Sequence, residues 1–331
     1  MTEHAKTAPS NHTSLTQRLR SFDLRRHTYL LSVVFFLILC GINIALQPSF
    51  LQPGVMVSNL STFLPLILVS IGQTYVILAS DIDLSVGSIV SLVNVATVSI
   101  IEGMGGTGGA IALGLTTGLG LGIAAGLFNG LCVALLRFQP IVTTFATGII
   151  FAGLALWILP QAGKQVPATV WQTYGGSILG VQTVIWVLTL AVIFALVLAR
   201  TRFHHALLAT GGQMQSAFQT GLHVLRVRIT AYALSGLFSA LAALCLVGET
   251  ASGDPLLGTG YTLSSISAVV LGGTALSGGI GGFIGSVFGA MILGLIDNVI
   301  FFARLPFEYQ GLVQGLIVLL ALAGGVFVSR R

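Results

Sequence analysis

Apolar residues run through this chain in blocks of about 20, separated by short polar breaks. A helix rises ~1.5 Å per residue, so a block of that length spans the ~30 Å hydrocarbon core of a bilayer. Ten blocks meet the criterion: 29–46, 63–80, 88–104, 109–136, 141–159, 182–200, 228–248, 264–276, 281–302 and 309–328. Block 264–276 is short enough to read as a broken or re-entrant helix, and 109–136 is long enough to tilt or to begin outside the membrane. The pattern predicts an all-α, polytopic membrane protein with about ten transmembrane helices. The first block follows a polar, basic tail (1–28), lacks a small-residue cleavage site and precedes further spans, so it reads as an anchor and not as a removable signal. Residues 29–331 are then one transmembrane domain.

Two blocks carry rows of small residues. Gly114, Gly118, Gly122, Gly126 and Gly130 recur every fourth position, and Gly281, Gly285, Gly289 and Gly294 form a second row five blocks later. Such a row bares a helix face so that another backbone can approach, either in static packing or at a sliding interface. Gly126-Leu127-Phe128-Asn129 rhymes with Gly294-Leu295-Ile296-Asp297, and Leu84-Ser85 with Leu263-Ser264. Since helices five spans apart run in opposite directions, this is the pattern of an inverted repeat, spans 2–5 against spans 7–10.

Composition agrees with the bilayer. Hydrophobic residues make up 55% of the 331 positions and charged residues 7%, with a mean hydropathy of +0.98. A soluble domain carries roughly 25% charged residues, so in water this chain would have almost nothing to solvate its surface. The net charge of +5 would suit an anionic partner such as nucleic acid, but its distribution has another cause. With ten spans and a cytoplasmic N-terminus, Lys6, Arg18, Arg20, Arg25, Arg26, Arg137, Arg200, Arg202, Arg226, Arg228, Arg330 and Arg331 lie inside, and only Lys164 and Arg304 outside. Both termini are therefore expected in the cytoplasm, with the basic excess facing anionic membrane lipid. No basic face interleaved with aromatics calls for nucleic acid. Cys40, Cys132 and Cys245 sit inside apolar blocks without paired spacing and read as small core residues.

Chemistry is confined to a few breaks. Asp81 and Asp83 lie in the polar stretch 80–88 between two spans, where carboxylates are costly unless they face water, protein or a pathway. Asp83 or Ser85 can also cap the third span. The longest cytoplasmic loop, 200–228, holds Gly212, Gln213, Met214, Gln215, Ser216, Ala217 and Gly221, a short amphipathic helix between glycines that could dock into a partner's groove or be an ordinary solvated loop. Glu249 and Asp254 flank the outer end of the seventh span and suit either a docking protein or plain solvation. No His, Asp or Cys cluster sits at one depth, so an intramembrane enzyme is disfavoured, and His204-His205 lacks a metal-ligand spacing. The nucleotide loop G-x-x-x-x-G-K-[ST] is also missing: no glycine precedes Lys6, and Lys164 is followed by Gln165.

Gly72-Gln73-Thr74-Tyr75-Val76-Ile77-Leu78, running into Asp81-Ile82-Asp83-Leu84-Ser85-Val86-Gly87-Ser88, resembles the signature of the ribose-type sugar permeases of bacterial ABC importers. So do Gly258-Thr259-Gly260-Tyr261, Ala268-Val269-Val270-Leu271-Gly272-Gly273-Thr274 and Ser277-Gly278-Gly279-Ile280-Gly281. The resemblance extends from about residue 50 to the C-terminus. It implies a multi-pass protein of the bacterial inner membrane, a dimer of permeases, two cytoplasmic ATPases that hold ATP and Mg, and a periplasmic sugar-binding protein. This chain would itself bind no cofactor or metal and catalyse no covalent step. The 200–228 loop would contain the coupling helix, and Glu249 and Asp254 would have a docking role. Gln73, Asp83, Ser85, Asn94 and Thr144 are the expected polar lining of the path, chosen for depth and polarity. The chain departs from the family at Asp81, usually Gly, and at Gln213–Ala217, which replace the usual coupling-loop pattern while Gly212 and Gly221 keep the spacing. The other reading is an ion-coupled secondary transporter or channel, for which the spans offer few acids, Asp297 being the clearest.

Overall fold

The computed structural model describes residues 29–306 and, beyond them, 309, 311–313, 315, 316 and 319. The basic tail 1–28, most of the expected tenth span and the terminal Arg330 and Arg331 lie outside the described residues. In chain order the elements are α1 (Tyr29–Leu46), α2 (Pro53–Leu78), α3 (Val86–Gly103), α4 (Gly108–Gly130, continued by a π-turn over Leu131–Leu135), α5 (Pro140–Ile158), α6 (Ala168–Gly175), a small hairpin of β1 (Ser177–Ile178) and β2 (Val181–Gln182), α7 (Thr183–Ala199), α8 (Arg202–Gly212), α9 (Met214–Gln219), α10 (Val224–Thr250), α11 (Tyr261–Leu271) and α12 (Phe283–Phe302). Six of these, α2, α3, α4, α5, α10 and α12, are long and apolar enough to cross a bilayer, and α7 with α8 passes the same test as a pair bent by 71°. The protein is a mostly helical, polytopic membrane protein.

Where the helices depart from the apolar blocks, the cause is local. α2 begins at Pro53, ten residues before its block, because proline at the first turn needs no N–H and presets the backbone for a helix. α11 is indeed short, 11 residues, and is flanked by Gly260 and Gly272. Gly281 precedes α12 with φ +127, so the second glycine row starts at Gly285 and not at Gly281.

Apolar residues divide between a core and a belt. Leu64, Ile67, Leu68 and Ile71 of α2, Ile89 and Val93 of α3 and Phe238 of α10 are fully buried. Phe145, Ile149 and Trp157 of α5, Ile193 and Val197 of α7 and Leu31 and Leu37 of α1 are exposed. On a soluble protein such a surface would drive association; in a bilayer it is solvated by lipid.

The first glycine row packs tightly on two partners. A Cβ at Gly118 would lie 2.3 Å from the Thr97 hydroxyl of α3, and one at Gly126 2.3 Å from the Tyr232 carbonyl of α10. Gly236 of α10 returns the contact against Gly122 and Gly126. The larger pattern is reciprocal. α3 packs on α4 as α11 packs on α12, α4 on α10 as α12 on α2, and α3 on α10 as α11 on α2, while α2 and α10 lie against each other.

Candidate functional site

α2 stops at Leu78, and residues 79–85 run without helix before α3 starts at Val86. Ser80 takes φ +67, a left-handed turn that starts the break. A broken backbone at membrane depth frees N–H and C=O groups, and with no bulk water to take them protein groups must do so. The acceptors and donors are largely the residues that the sequence marks as polar. Asp83 accepts from the Ser85 N–H at 2.9 Å, the Ser85 hydroxyl at 2.6 Å and, from α10, the Ser235 hydroxyl at 3.0 Å. The Ser85 hydroxyl in turn accepts from Asn129 Nδ2 of α4 at 2.7 Å. On the other side, Thr144 of α5 accepts the Leu84 N–H at 3.0 Å, and its own proton has the Ile82 and Pro140 carbonyls within reach. Three helices thereby hold one extended segment.

Asp81 makes a different contact. Arg228, the fifth residue of α10, donates Nε to Oδ2 of Asp81 at 2.9 Å and Nη2 to Oδ1 at 2.8 Å, a bidentate pair whose side chains are 12% and 2% exposed. Planar, two-pronged geometry of this kind is what makes Arg–carboxylate pairs strong. The charge at position 81 is thus matched inside the protein.

A second break mirrors the first. Between α10 and α11, residues 251–260 run back into the protein. Asn94 of α3 accepts the Asp254 N–H at 2.9 Å and donates to the Ser252 carbonyl at 3.4 Å. Deeper along α3, Ser91 accepts the Gly258 N–H at 2.9 Å, and Thr262 of α11 accepts the Gly87 N–H at 3.2 Å. Gly87 and Gly258 meet backbone to backbone: a Cβ on Gly87 would lie 2.3 Å from the Gly258 carbonyl oxygen, and one on Gly258 1.9 Å from that of Gly87.

The loop 200–228 folds as α8, a turn at Gln213 and α9, and returns through Gly221 at φ +83. Gly212, Gln213, Met214, Gln215 and Ser216 are exposed while Ala217 is buried, and Phe218 is 72% exposed one turn after Met214. α8 ends against the first break: a Cβ on Gly211 would lie 1.8 Å from the Leu78 carbonyl, which also accepts the Gly279 N–H at 3.1 Å. Ser80 donates to the Ser277 carbonyl at 2.9 Å in the same cluster.

At the other end, where Glu102 pairs with Lys164 at 2.7 Å, a cleft of about 500 Å³ opens. Ser58, Ser61, Trp171, Tyr174, Gln182 and Glu249 are among its walls. Glu249 accepts the Thr62 hydroxyl at 3.0 Å. Asp254 faces its own chain, accepting the Leu256 N–H at 2.8 Å.

Of the five residues expected along a path, Asp83, Ser85, Asn94 and Thr144 are 0% exposed and engaged in holding the two breaks. Gln73 is equally buried, but neither its amide oxygen nor its nitrogen has a hydrogen-bond partner among the described residues. The Ser70 and Ser239 hydroxyls on α2 and α10 are in the same condition. Ser85 is the residue at the start of α3, yet its side chain caps nothing; Asp83 takes the Ser85 N–H instead. Sequence reasoning missed Arg228, Asn129, Ser235 and Ser91. Arg228 carried a usable signal, since a carboxylate at a span boundary needs a cation and Arg228 begins the span that packs beside it.

No group of three or more His, Cys, Asp or Glu able to hold a metal occurs among the described residues. The model of the family described as branched-chain amino acid transport system / permease component matches residues 55–322. The autoinducer 2 import system permease protein LsrC of Escherichia coli K12 is 34% identical over 300 residues, 90% of this chain and 86% of that one. The same protein from Shigella flexneri matches to the same extent. The ribose import permease protein RbsC of Escherichia coli K12 is 32% identical over 296 residues, 88% of this chain and 91% of that one. No solved structure matches.

Proposed function

Because this chain belongs to the family of branched-chain amino acid transport system permease components, we infer that it is the membrane-spanning permease subunit of an ATP-driven importer carrying a monosaccharide or related small polar solute into the cytoplasm. The observation that carries this reading is 34% and 32% identity, over 90% and 88% of the chain, with import permeases named for autoinducer 2 and ribose. It is a multi-pass protein of the bacterial inner membrane. Ten spans with both termini in the cytoplasm remain the topology that best accounts for the basic residues. The sorting of contacts supports it: Arg228 meets Asp81 at the end assigned inside, and Lys164 meets Glu102 at the end assigned outside. The reciprocal helix contacts support two inverted halves, α2–α5 against α10 and its successors.

The partners on this reading are a second permease, identical or different, a cytoplasmic ATPase that holds ATP and Mg, and a periplasmic solute-binding protein. The exposed Met214–Phe218 pair on α9 suits a groove on the ATPase. The cleft beside Trp171, Tyr174, Gln182 and Glu249 combines aromatic faces with hydrogen-bonding groups, as a hydroxylated solute requires; Glu249 in its wall, with Asp254, is the proposed docking site for the binding protein. Gln73 is the best of the path residues for solute contact, because a buried amide without partners costs free energy that a passing hydroxyl or water relieves. Asp83, Ser85, Asn94 and Thr144 shape the path by holding the breaks. ATP binding moves α8 and α9, and the permease shifts between inward- and outward-open states.

Reconstitution in liposomes tests the reading. Solute uptake is expected only with the ATPase, ATP and the binding protein all present. Uptake by the purified chain alone, driven by an ion gradient, overturns it in favour of a secondary transporter.

A further inference from the structure

Two points of the loop 200–228, one on each side of α9, rest on the same break. Before α9, α8 ends with Gly211 against the carbonyl of Leu78, the last residue of α2. On exit, α10 opens at Val224 and turns Arg228 onto Asp81. Between those two anchor points lie Ser80, bonded to the Ser277 carbonyl, and Gly278, whose absent side chain leaves room for Ser80. Among the described residues Asp81–Arg228 is the buried ion pair, the other, Lys164–Glu102, being partly exposed at 37% and 45%.

We propose that Asp81 and Arg228 are a positioning pair that ties the start of α10 to the polar break, so that displacement of the 200–228 loop by the ATPase moves residues 79–85. This inference rests on the importer reading. A bidentate pair is the contact suited to the task, because it fixes orientation as well as distance. A hydrophobic contact in its place would let the break slide. The pair also ends two residues before Asp83, whose three donors come from the break itself and from α10. Motion delivered at Asp81 therefore reaches the segment that α4, α5 and α10 hold in common.

The test uses the complete transporter in liposomes, with ATP hydrolysis and solute uptake measured on the same preparation. Asp81→Asn, Arg228→Gln and the double variant are compared with wild type. The double variant leaves no charge stranded and is the one most certain to assemble. Each variant is expected to hydrolyse ATP at or above the wild-type rate while solute moved per ATP falls roughly tenfold, a change of about 1.4 kcal/mol in coupling. A merely structural role lowers both rates in proportion and leaves the ratio unchanged, which overturns the proposal. A double variant with the wild-type ratio overturns it as well. ATP-independent uptake by wild type sinks the importer reading instead, and is seen before any variant is made.

Discussion

At the scale of single residues, the protein meets the cost of an interrupted backbone with a small number of side chains that each do several jobs. Asp83 accepts from three donors on two segments, so its removal leaves each of those N–H and O–H groups without its acceptor in a buried site. Asp83→Ala is expected to destabilise the fold by about 3 kcal/mol, and Asp83→Asn by less, since the amide keeps one acceptor. Thermal melting in detergent measures both, and an unchanged melting temperature for the alanine variant contradicts the assignment. The glycines offer a matched comparison. Gly126 has the Tyr232 carbonyl 2.3 Å from where a Cβ would stand, while Gly120, on the same helix, has nothing within 4 Å. Gly126→Ala is expected to lower the melting temperature by several degrees and Gly120→Ala to leave it unchanged or raise it, because alanine is the better helix former by about 1 kcal/mol.

Secondary elements show what hydropathy can and cannot deliver. Blocks of apolar residues locate α1 to α5, α7, α10, α11 and α12 because burial in lipid depends on composition alone and needs no knowledge of neighbours. The shortness of α11 was legible for the same reason. Sequence did not reveal that 251–260 descends to meet α3, since that segment is held by Asn94 and Ser91 from a helix more than 150 residues away. Nor did it pair Asp81 with Arg228, whose separation of 147 positions only the packing of α10 beside α2 makes small. Long-range partners of polar residues are decided by helix packing, and one sequence does not state helix packing. For α9 the exposed side chains give a direct expectation. Met214→Ala with Phe218→Ala should weaken ATPase association at least tenfold, measured by pull-down against the ATPase, and leave the melting temperature of the permease unchanged.

For the whole molecule, orientation is the property with the broadest consequences and the simplest check. The ends of the helix bundle differ in character: one carries Arg228, α8, α9 and the 277–280 turn, the other the Lys164–Glu102 pair and the aromatic cleft. Cysteines placed at Gln161 and Gln215, both exposed, report on them separately. An impermeant thiol reagent added to intact spheroplasts is expected to label position 161 and not position 215, and to label both after lysis. The reverse pattern would turn the topology upside down.

The contact between Gly87 and Gly258 sets a limit on how such a bundle can rearrange. Two main chains pressed together without side chains behave like meshed gear teeth: there is no soft material between them to compress, so the start of α3 and the segment 251–260 cannot move closer than they stand. A methyl group added at either tooth would stand 2.3 or 1.9 Å from the facing carbonyl oxygen and force the two main chains apart.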